Sequence, residues 1–316
     1  MAFPEGVYFD ADEVALAVAF IEQTLVLTKS TKSGRPEPFR LLAPHKQLVS
    51  NVMGWKRPDG TRLYRKAFFS TARKNAKTQI CAAIALLLLV LDNEQSPEVY
   101  LAAKTREQAS RVYQAAADMI RASKELSQIM TVVPYSKTIT CSTNNGILKA
   151  VSGEGKSLHG LSPTVCIIDE LHALGEGERE MMDALTTGSG ARRQSLHCYI
   201  TTAGTDLHSI WGEEYDYVCK VRDGIIDDPY YYVQLHEVPK EAIWTDESLY
   251  WMANPCIGDI VTLDYLIEKR DQALAQPSLQ TAFRRLYLNQ FVNATSTWIP
   301  LDKFDLCQWD KTTCPI

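Results

Sequence analysis

The sequence lacks the features of several protein classes. Its 316 residues include eight cysteines, but no Cys-x-x-Cys pair and no zinc-ligand spacing, which predicts reduced thiols in a cytosolic protein. The longest apolar run, 80–91, has 12 residues, whereas a membrane span needs about 20. The first residues show no basic segment followed by an apolar core, so we expect no signal peptide.

A large excess of positive charge is also absent. The chain has 33 Lys and Arg against 38 Asp and Glu, which gives a formal net charge of −5 at pH 7. A nucleic acid would therefore have to bind a local basic patch, although most adjacent basic residues in proteins simply face solvent. The candidate pairs are Lys56-Arg57, Arg65-Lys66, Arg192-Arg193 and Arg284-Arg285.

Apolar strand patterns alternate with helical patterns through the first two thirds of the chain. Because the strands are apolar on both faces, they favour a mostly parallel sheet covered by helices on both sides, which is an α/β fold. Asn144-Asn145-Gly146 is typical of a hairpin turn, and Thr105 with Gln108 fits a helix capping box. Strands are predicted at 66–70, 98–103, 138–142, 147–152, 164–168, 197–202 and 230–235, and helices at 12–28, 77–91 and 105–122.

Residues 70–78, STARKNAKT, lie between an apolar strand and a strong helix. They end in the Lys77-Thr78 of a phosphate-binding loop, in which the lysine binds nucleotide phosphates and the hydroxyl binds Mg²⁺. Thr71 and Ala76 occupy the two glycine positions of the strict G-x-x-x-x-G-K-[ST] pattern. Glycine at those positions lets the backbone approach the phosphates with positive φ, so the departure bears on function.

A second segment, 150–157, is nearer to the strict pattern because only its first glycine is missing. The acidic strand of such a site should follow the loop after at least one βα unit of about 30 residues. Asp169 follows Lys156 by 13 residues, which leaves no room, but it follows Lys77 by 92. The spacing therefore favours Lys77.

The apolar strand 165–168 ends in Asp169-Glu170. We expect Asp169 to hold Mg²⁺ through its water shell and Glu170 to accept a proton from, or orient, the attacking water. The alternative is a helix N-cap followed by a first-turn acid. Thr201 and Thr202 end the next strand, where they either sense the γ-phosphate or serve only as β-branched strand residues.

In this order, the motifs resemble the large terminase subunit of tailed bacteriophages. The resemblance implies a P-loop NTPase of the RecA-like (ASCE) type, with an extra strand between the loop strand and the acidic strand. It also implies an ATP-driven motor that packs double-stranded DNA into a capsid, with ATP and Mg²⁺ as cofactors. The residues that carry it are 72–78, 157–163, 168–173 and 201–204, with 42–47, 54–55, 254–255 and 283–290 around them.

The resemblance also distributes roles among the candidate residues. The metal ligands would be Thr78 and Asp169, and the adenine contact is ambiguous between Lys46 and Gln47. Arg192 and Arg193 are the candidates for an arginine that acts in a neighbouring subunit. The other nucleotide contacts would be Arg73, Lys74, Asn75, Ala76, Lys77 and Thr78, and the catalytic set would be Glu170, Lys77, Arg73, Thr201 and Thr202, with the threonines coupling hydrolysis to DNA movement.

Four segments follow from these patterns: an N-terminal helix and linker over 1–40, the P-loop ATPase core over 41–205, a smaller, mainly helical subdomain over 206–297, and a linker stub over 298–316. Because Asp302, Asp305 and Asp310 lie in no strand context, we expect the RNase H-like nuclease of the family to be missing from this chain. The partners implied are double-stranded DNA, the small terminase subunit, the portal protein and a homo-oligomeric ring in the host cell cytoplasm.

Two other functions remain open. A helicase-like translocase would share the chemistry, but it needs a second RecA-like domain, and the residues after Gly204 are too few and too helical for one. A nucleotide-binding assembly protein with little hydrolysis is suggested by Ala76. A hydrolase that uses a Ser/His/Asp set has no nucleophile-elbow motif to support it.

Overall fold

The computed structural model describes residues 3–28, 34–153 and 160–292. The strands in these ranges are β1 (Tyr8–Phe9), β2 (Val26–Leu27), β3 (Glu37–Pro38), β4 (Trp55–Lys56), β5 (Lys66–Ser70), β6 (Glu98–Ala103), β7 (Met130–Val133), β8 (Thr138–Cys141), β9 (Gly146–Ser152), β10 (Val165–Asp169), β11 (Leu196–Thr201) and β12 (Tyr231–Leu235). The helices are α1 (Ala11–Ala19), α2 (Ala43–Gly54), α3 (Lys77–Leu91), α4 (Arg106–Ala122), α5 (Lys124–Ile129), α6 (Arg179–Gly188), α7 (Ile210–Arg222), α8 (Tyr250–Ala253), α9 (Leu263–Ala275) and α10 (Gln280–Tyr287).

A central sheet of eight strands organises the chain, in the order β12-β5-β11-β10-β6-β9-β8-β7. The strands from β12 to β9 pair in parallel, and β8 and β7 extend the sheet antiparallel at one edge. β11 lies between β5, which leads into the phosphate loop, and β10, which carries the acidic pair. The predicted α/β fold with its inserted strand is therefore confirmed.

Both faces of the sheet are buried, which explains the continuous apolar runs of its strands. On β10, Val165 and Ile167 belong to one core, while Cys166 and Ile168 belong to a second core on the other face. Helices α2, α3 and α4 cover the first face, and α6 and α7 cover the second. This alternation is the side-chain period of a strand that is covered on both sides.

Long-range pairing changes one helix prediction and adds a strand to the sheet of the core. The helix predicted over 12–28 ends at Ala19 and continues as a π-helical turn, Phe20–Thr24, because β2 then pairs with β3. β12 joins the central sheet beside β5, so the sheet extends past residue 205, where the sequence predicted the core to end. None of the helices in the described ranges is long and apolar enough to cross a lipid bilayer.

The helical region after β12 forms a third core of its own. Tyr250, Leu266 and Phe283 lie at its centre, and Ala72 of the phosphate loop packs into it. The loop is therefore held between the sheet and this helical region. Residues 154–159, which include Lys156 and part of a motif behind the resemblance, lie outside the described ranges, as does the segment 298–316.

Candidate nucleotide-hydrolysis site

The predicted phosphate loop runs from the end of β5 to the start of α3. Within it, Lys74 and Ala76 have left-handed backbone conformations, with φ of 68° and 55°. Ala76 thus adopts the conformation for which glycine is ordinarily required, and an alanine side chain costs about 1–2 kcal/mol there. The missing glycine does not prevent the loop from turning into the helix.

Lys77 begins α3 and lies almost completely inside the loop, with 7% of its surface exposed. Its Nζ donates hydrogen bonds to the carbonyl oxygens of Thr71 at 3.0 Å and of Ala72 at 2.8 Å. Burial lowers the pKa of the amine to about 8, and the charges of Glu170 and Asp169 oppose that shift. The structure therefore brings the predicted lysine into the electrostatic field of the predicted acids.

The acidic pair ends β10 at the same edge of the sheet as the loop. β10 and β5 both flank β11, whose register aligns Asp169 with Ile200 and Ser70 with Thr201. Burial, reinforced by the charge of Glu170, raises the pKa of Asp169 to about 7. The Asp169 Oδ1 atom is buried without a hydrogen-bond partner in the described ranges, so this oxygen is available to a ligand.

His172 connects Glu170 to the two threonines. Its Nδ1 lies 3.2 Å from the Oγ1 atoms of both Thr201 and Thr202, and its backbone N–H donates to Thr201 Oγ1. The same Nδ1 lies 3.1 Å from Glu170 Oε2, although not in hydrogen-bonding geometry. Burial lowers the pKa of His172 to about 4, so the ring is neutral near pH 7.

A lysine in the predicted phosphate loop, an aspartate with one oxygen that has no partner among the described residues, and a neighbouring glutamate thus lie at the carboxyl edge of a parallel sheet, which is where α/β folds bind ligands. A family model described as the terminase large subunit, ATPase domain, matches residues 44–220. The chain belongs to this family. The match confirms the resemblance carried by the motifs.

Individual terminases agree with this assignment. The large terminase subunit of Enterobacteria phage HK97 is 32% identical over 295 residues, which are 92% of this chain and 55% of that protein. The crystal structure of the HK97 large terminase matches with a TM-score of 0.77 at 30% identity, covering 93% of this chain and 58% of that one. The chain thus spans little more than half the length of these relatives.

A more distant structure shares the fold. The large terminase ATPase domain of Thermus phage P74-26 matches with a TM-score of 0.55 at 13% identity, covering 81% of this chain and 94% of that one. At this identity the match shows that the two chains have the same architecture.

Asn75, predicted as a nucleotide contact, has its side chain among protein partners in this ATPase domain. Its Nδ2 lies 3.1 Å from both Ala72 O and Asn254 Oδ1, and its Oδ1 accepts from the Cys256 N–H at 3.3 Å. Asn254 in turn donates to the Tyr287 carbonyl. The side chain of Asn75 therefore ties the loop to the helical region.

Helix α2 lies against the other side of the loop. Lys46 and Gln47, the two candidates for the adenine contact, are both exposed on α2. Between the helix and the loop, His45 Nε2 lies 3.1 Å from Asn75 O, and burial lowers the pKa of this histidine to about 4. His45 lies in the 42–47 segment that contributes to the family resemblance, but no sequence signal indicated that it contacts the loop.

Asn289 lies in the 283–290 segment of the resemblance, but no sequence signal gave it a role. It follows α10, is 1% exposed and has a φ of 51°. Its Nδ2 donates to Ser70 Oγ at 2.9 Å and to His236 O at 2.8 Å, and its Oδ1 accepts from the Ala203 N–H at 2.6 Å. One side chain thus joins the helical region to the ends of β5, β11 and β12.

Of the remaining predicted residues, some lie at the loop and others lie at the far edge of the sheet. Arg73 and Lys74 are exposed in the loop, and Thr78 is half-buried in the first turn of α3. Arg192 and Arg193 precede β11 and so lie at the opposite edge of the sheet from Thr201. The Arg192 guanidinium bonds Ser162 O at 2.8 Å within its own chain.

Proposed function

We propose that this ATPase domain hydrolyses ATP in order to move double-stranded DNA into a viral capsid. The observation that supports it most is the convergence of Lys77 with Asp169 and Glu170 at one edge of the sheet, in a chain of the terminase family. Chains of this architecture have a lysine for the phosphates and an acid for the attacking water, which are the working parts of an NTP hydrolase.

The phosphate loop binds the nucleotide in this proposal. Lys77 exchanges its two loop carbonyl partners for phosphate oxygens, and Arg73 and Lys74 add charge from the exposed side of the loop. The Asn75 side chain holds the loop in shape through its protein partners, and the left-handed Ala76 directs the chain into α3. Lys46 or Gln47 supplies the adenine contact.

Thr78 and Asp169 are the residues that would hold Mg²⁺. The unpartnered Oδ1 of Asp169 fits this role, because Mg²⁺ takes few carboxylates and keeps several waters. Among the described residues there is no group of three or more His, Cys, Asp or Glu side chains that could hold a metal ion, so phosphate oxygens and water would complete the shell. When bound, the ion neutralises charge on the phosphates.

Glu170 positions the attacking water and accepts its proton. The neutral ring of His172 holds the space beside this carboxylate and contacts the hydroxyls of Thr201 and Thr202. If Glu170 moves when phosphate is lost, His172 can therefore transmit that movement to the end of β11. We propose that Thr201 and Thr202 couple hydrolysis to DNA movement through these contacts with His172.

The partners in this proposal are double-stranded DNA, the small terminase subunit, the portal protein and further copies of this chain in a ring. The site of action is the host cell cytoplasm. We also propose that the four segments predicted from the sequence, 1–40, 41–205, 206–297 and 298–316, are the functional units of the chain. The strand β12 gives the third of them a direct connection to the sheet.

Phosphate release from MgATP, measured with and without double-stranded DNA, tests the proposal. We expect hydrolysis that DNA stimulates, and we expect Lys77→Ala to abolish it and weaken nucleotide binding. Lys156→Ala, in the rival loop, is the control and should keep most activity. No phosphate release by the native chain would favour a nucleotide-binding assembly protein, and an inactive Lys156→Ala beside an active Lys77→Ala would overturn the choice of loop.

A further inference from the structure

The last turn of α10 is bound directly to the phosphate loop. The Arg73 N–H donates to the Leu286 carbonyl at 2.9 Å, and the Tyr287 carbonyl accepts from Asn254. Arg285 is the residue before Leu286, so its backbone is held next to the loop. Its side chain is half-buried there.

Arg284 and Arg285 are adjacent, but their side chains have different surroundings. The Arg284 guanidinium donates to Gln290 Oε1 at 2.8 Å and to Lys240 O at 3.1 Å. The Arg285 guanidinium has no hydrogen bond or ion pair with any residue in the described ranges. Arg284 is thus a structural residue, whereas the donors of Arg285 are free of partners within the part of the chain that the structure describes.

The charges around Arg285 make an anion its natural partner. Burial and the nearby positive charge of Arg73 both lower the pKa of Arg285. The charge of Arg285 also acts on the buried His172, more strongly than the charges of Lys77 and Arg73 do. A half-buried guanidinium with free donors beside other cations is stabilised by a ligand of opposite charge.

We propose that Arg285 binds the polyphosphate of the nucleotide held in its own chain. The inference rests on the proposed function, since it takes the nucleotide site to be the loop around Lys77. Arg73 and Lys77 approach the phosphates from the loop, and Arg285 approaches them from α10. The helical region would then sense the nucleotide through a charge as well as through the contacts of Asn75 and Asn289.

A DNA phosphate or a neighbouring subunit is the competing partner for this arginine. The position of Arg285 favours the nucleotide, because the carbonyl of the next residue, Leu286, bonds the loop at Arg73, and because its charge acts on His172, which contacts Thr201 next to the acidic pair. A planar guanidinium bonds two phosphate oxygens at once, so arginine and lysine should not be equivalent at this position.

Titration of the isolated chain with a fluorescent ATP analogue and Mg²⁺, without DNA and at low protein concentration, tests the proposal. We expect Arg285→Ala to weaken binding by about tenfold or more, which is about 1.4 kcal/mol. Arg285→Lys should recover part of the loss. Arg284→Ala is the matched control and should bind the analogue as the native chain does.

The outcomes separate this inference from the proposed function. Native affinity in Arg285→Ala would overturn it. If that variant then also lost DNA-stimulated phosphate release, measured separately, Arg285 would instead act on DNA or on a neighbouring subunit. Failure of the native chain to bind the analogue would overturn the proposed function. If Arg285→Ala has a lower melting temperature than Arg284→Ala, Arg285→Gln preserves the bulk of the side chain and gives the same test.

Discussion

Ala76 has the backbone conformation that a phosphate-binding loop ordinarily gives to glycine. The alanine costs conformational energy in the folded state, whereas glycine would cost more chain entropy on folding. The strain of the left-handed alanine is somewhat larger than the entropic cost of glycine. The residue therefore gives a direct measure of strain in the loop.

We expect Ala76→Gly to raise the free energy of unfolding by up to about 1.5 kcal/mol, because relief of about 1–2 kcal/mol of strain outweighs an entropic cost of about 0.5–1 kcal/mol. Urea denaturation measures the change. Ala82→Gly, within α3 and fully buried, is the control and should instead destabilise the chain by about 1 kcal/mol or more. Equal destabilisation by the two changes would show that Ala76 is not left-handed in solution.

Glu170 and Asp169 are adjacent but should fail in different ways. Glu170→Gln should still bind MgATP and hydrolyse it at least about a hundredfold more slowly, since a general base contributes about 10²–10⁴-fold. Asp169→Asn should raise the Mg²⁺ concentration needed for activity. Phosphate release as a function of Mg²⁺, together with nucleotide titration, measures both effects.

The exposed Glu176 provides a control for charge removal, and Glu176→Gln should hydrolyse ATP normally. An equal loss of nucleotide affinity in the Glu170 and Asp169 variants would argue that Glu170 has a structural role only.

At the scale of secondary-structure elements, the segment after α10 joins the helical region to the sheet. Asn289 bonds groups at or just after the ends of β5, β11 and β12, whereas Gln290 bonds Arg284 and Pro239 outside the sheet. These two neighbouring amides are equally buried. A comparison of variants at the two positions therefore separates the effect of losing the bonds to the sheet from the effect of removing a buried amide.

Asn289→Ala should destabilise the chain by about 2–3 kcal/mol, because it leaves buried polar groups without partners. It should also reduce DNA stimulation of ATP hydrolysis. Gln290→Ala should lower stability while keeping that stimulation. Thermal melting and phosphate release measure the two properties, and identical behaviour of both variants would refute a coupling role for Asn289.

Helices and strands of the core could be predicted because their signals are local. The helix at 77–91 and the strands at 66–70 and 98–103 have the predicted bounds, and the capping box of Thr105 and Gln108 forms both of its hydrogen bonds. The place of β12 beside β5 could not be predicted, because a five-residue strand carries no information about which edge it joins.

At the scale of the whole molecule, the basic pairs give little support to a large DNA-binding face. Lys56 pairs with Glu13 at 2.7 Å, and Lys66 pairs with Glu214 at 3.3 Å. Arg192 contacts Glu98 at 3.4 Å. Three of the eight residues in these pairs thus have an acidic partner among the described residues, which reduces the positive charge that they offer to DNA.

We expect this chain to hydrolyse ATP without cutting DNA. Two-metal cleavage needs several carboxylates that hold ions about 3.5–4 Å apart. The acidic pair that best fits metal chemistry, Asp169-Glu170, lies near Lys77 of the phosphate loop and is therefore assigned to ATP hydrolysis. Incubation of purified protein with linear and supercoiled DNA and Mg²⁺ or Mn²⁺ should produce no nicks or breaks. Cleavage that follows the protein through purification and persists in Glu170→Gln would reveal a separate nuclease site.

The sequence by itself predicted the residues of the candidate site and the order of its parts. Lys77, Asp169 and Glu170 could be found because a strand, a loop and a helix follow one another within a few residues, and because 92 residues separate the loop from the acid. The spacing also favours this loop over the one at Lys156. These are properties of neighbouring residues and of chain length.

Only the tertiary structure decided how those parts are connected. The contact of Asn75 with Asn254, the bonds of Asn289 to three strand ends and the bond of the Arg73 N–H to the Leu286 carbonyl all join residues far apart in the chain. Such contacts depend on how the helical region packs against the sheet. Since a hydrogen bond needs atoms at about 3 Å, no local pattern could have specified them.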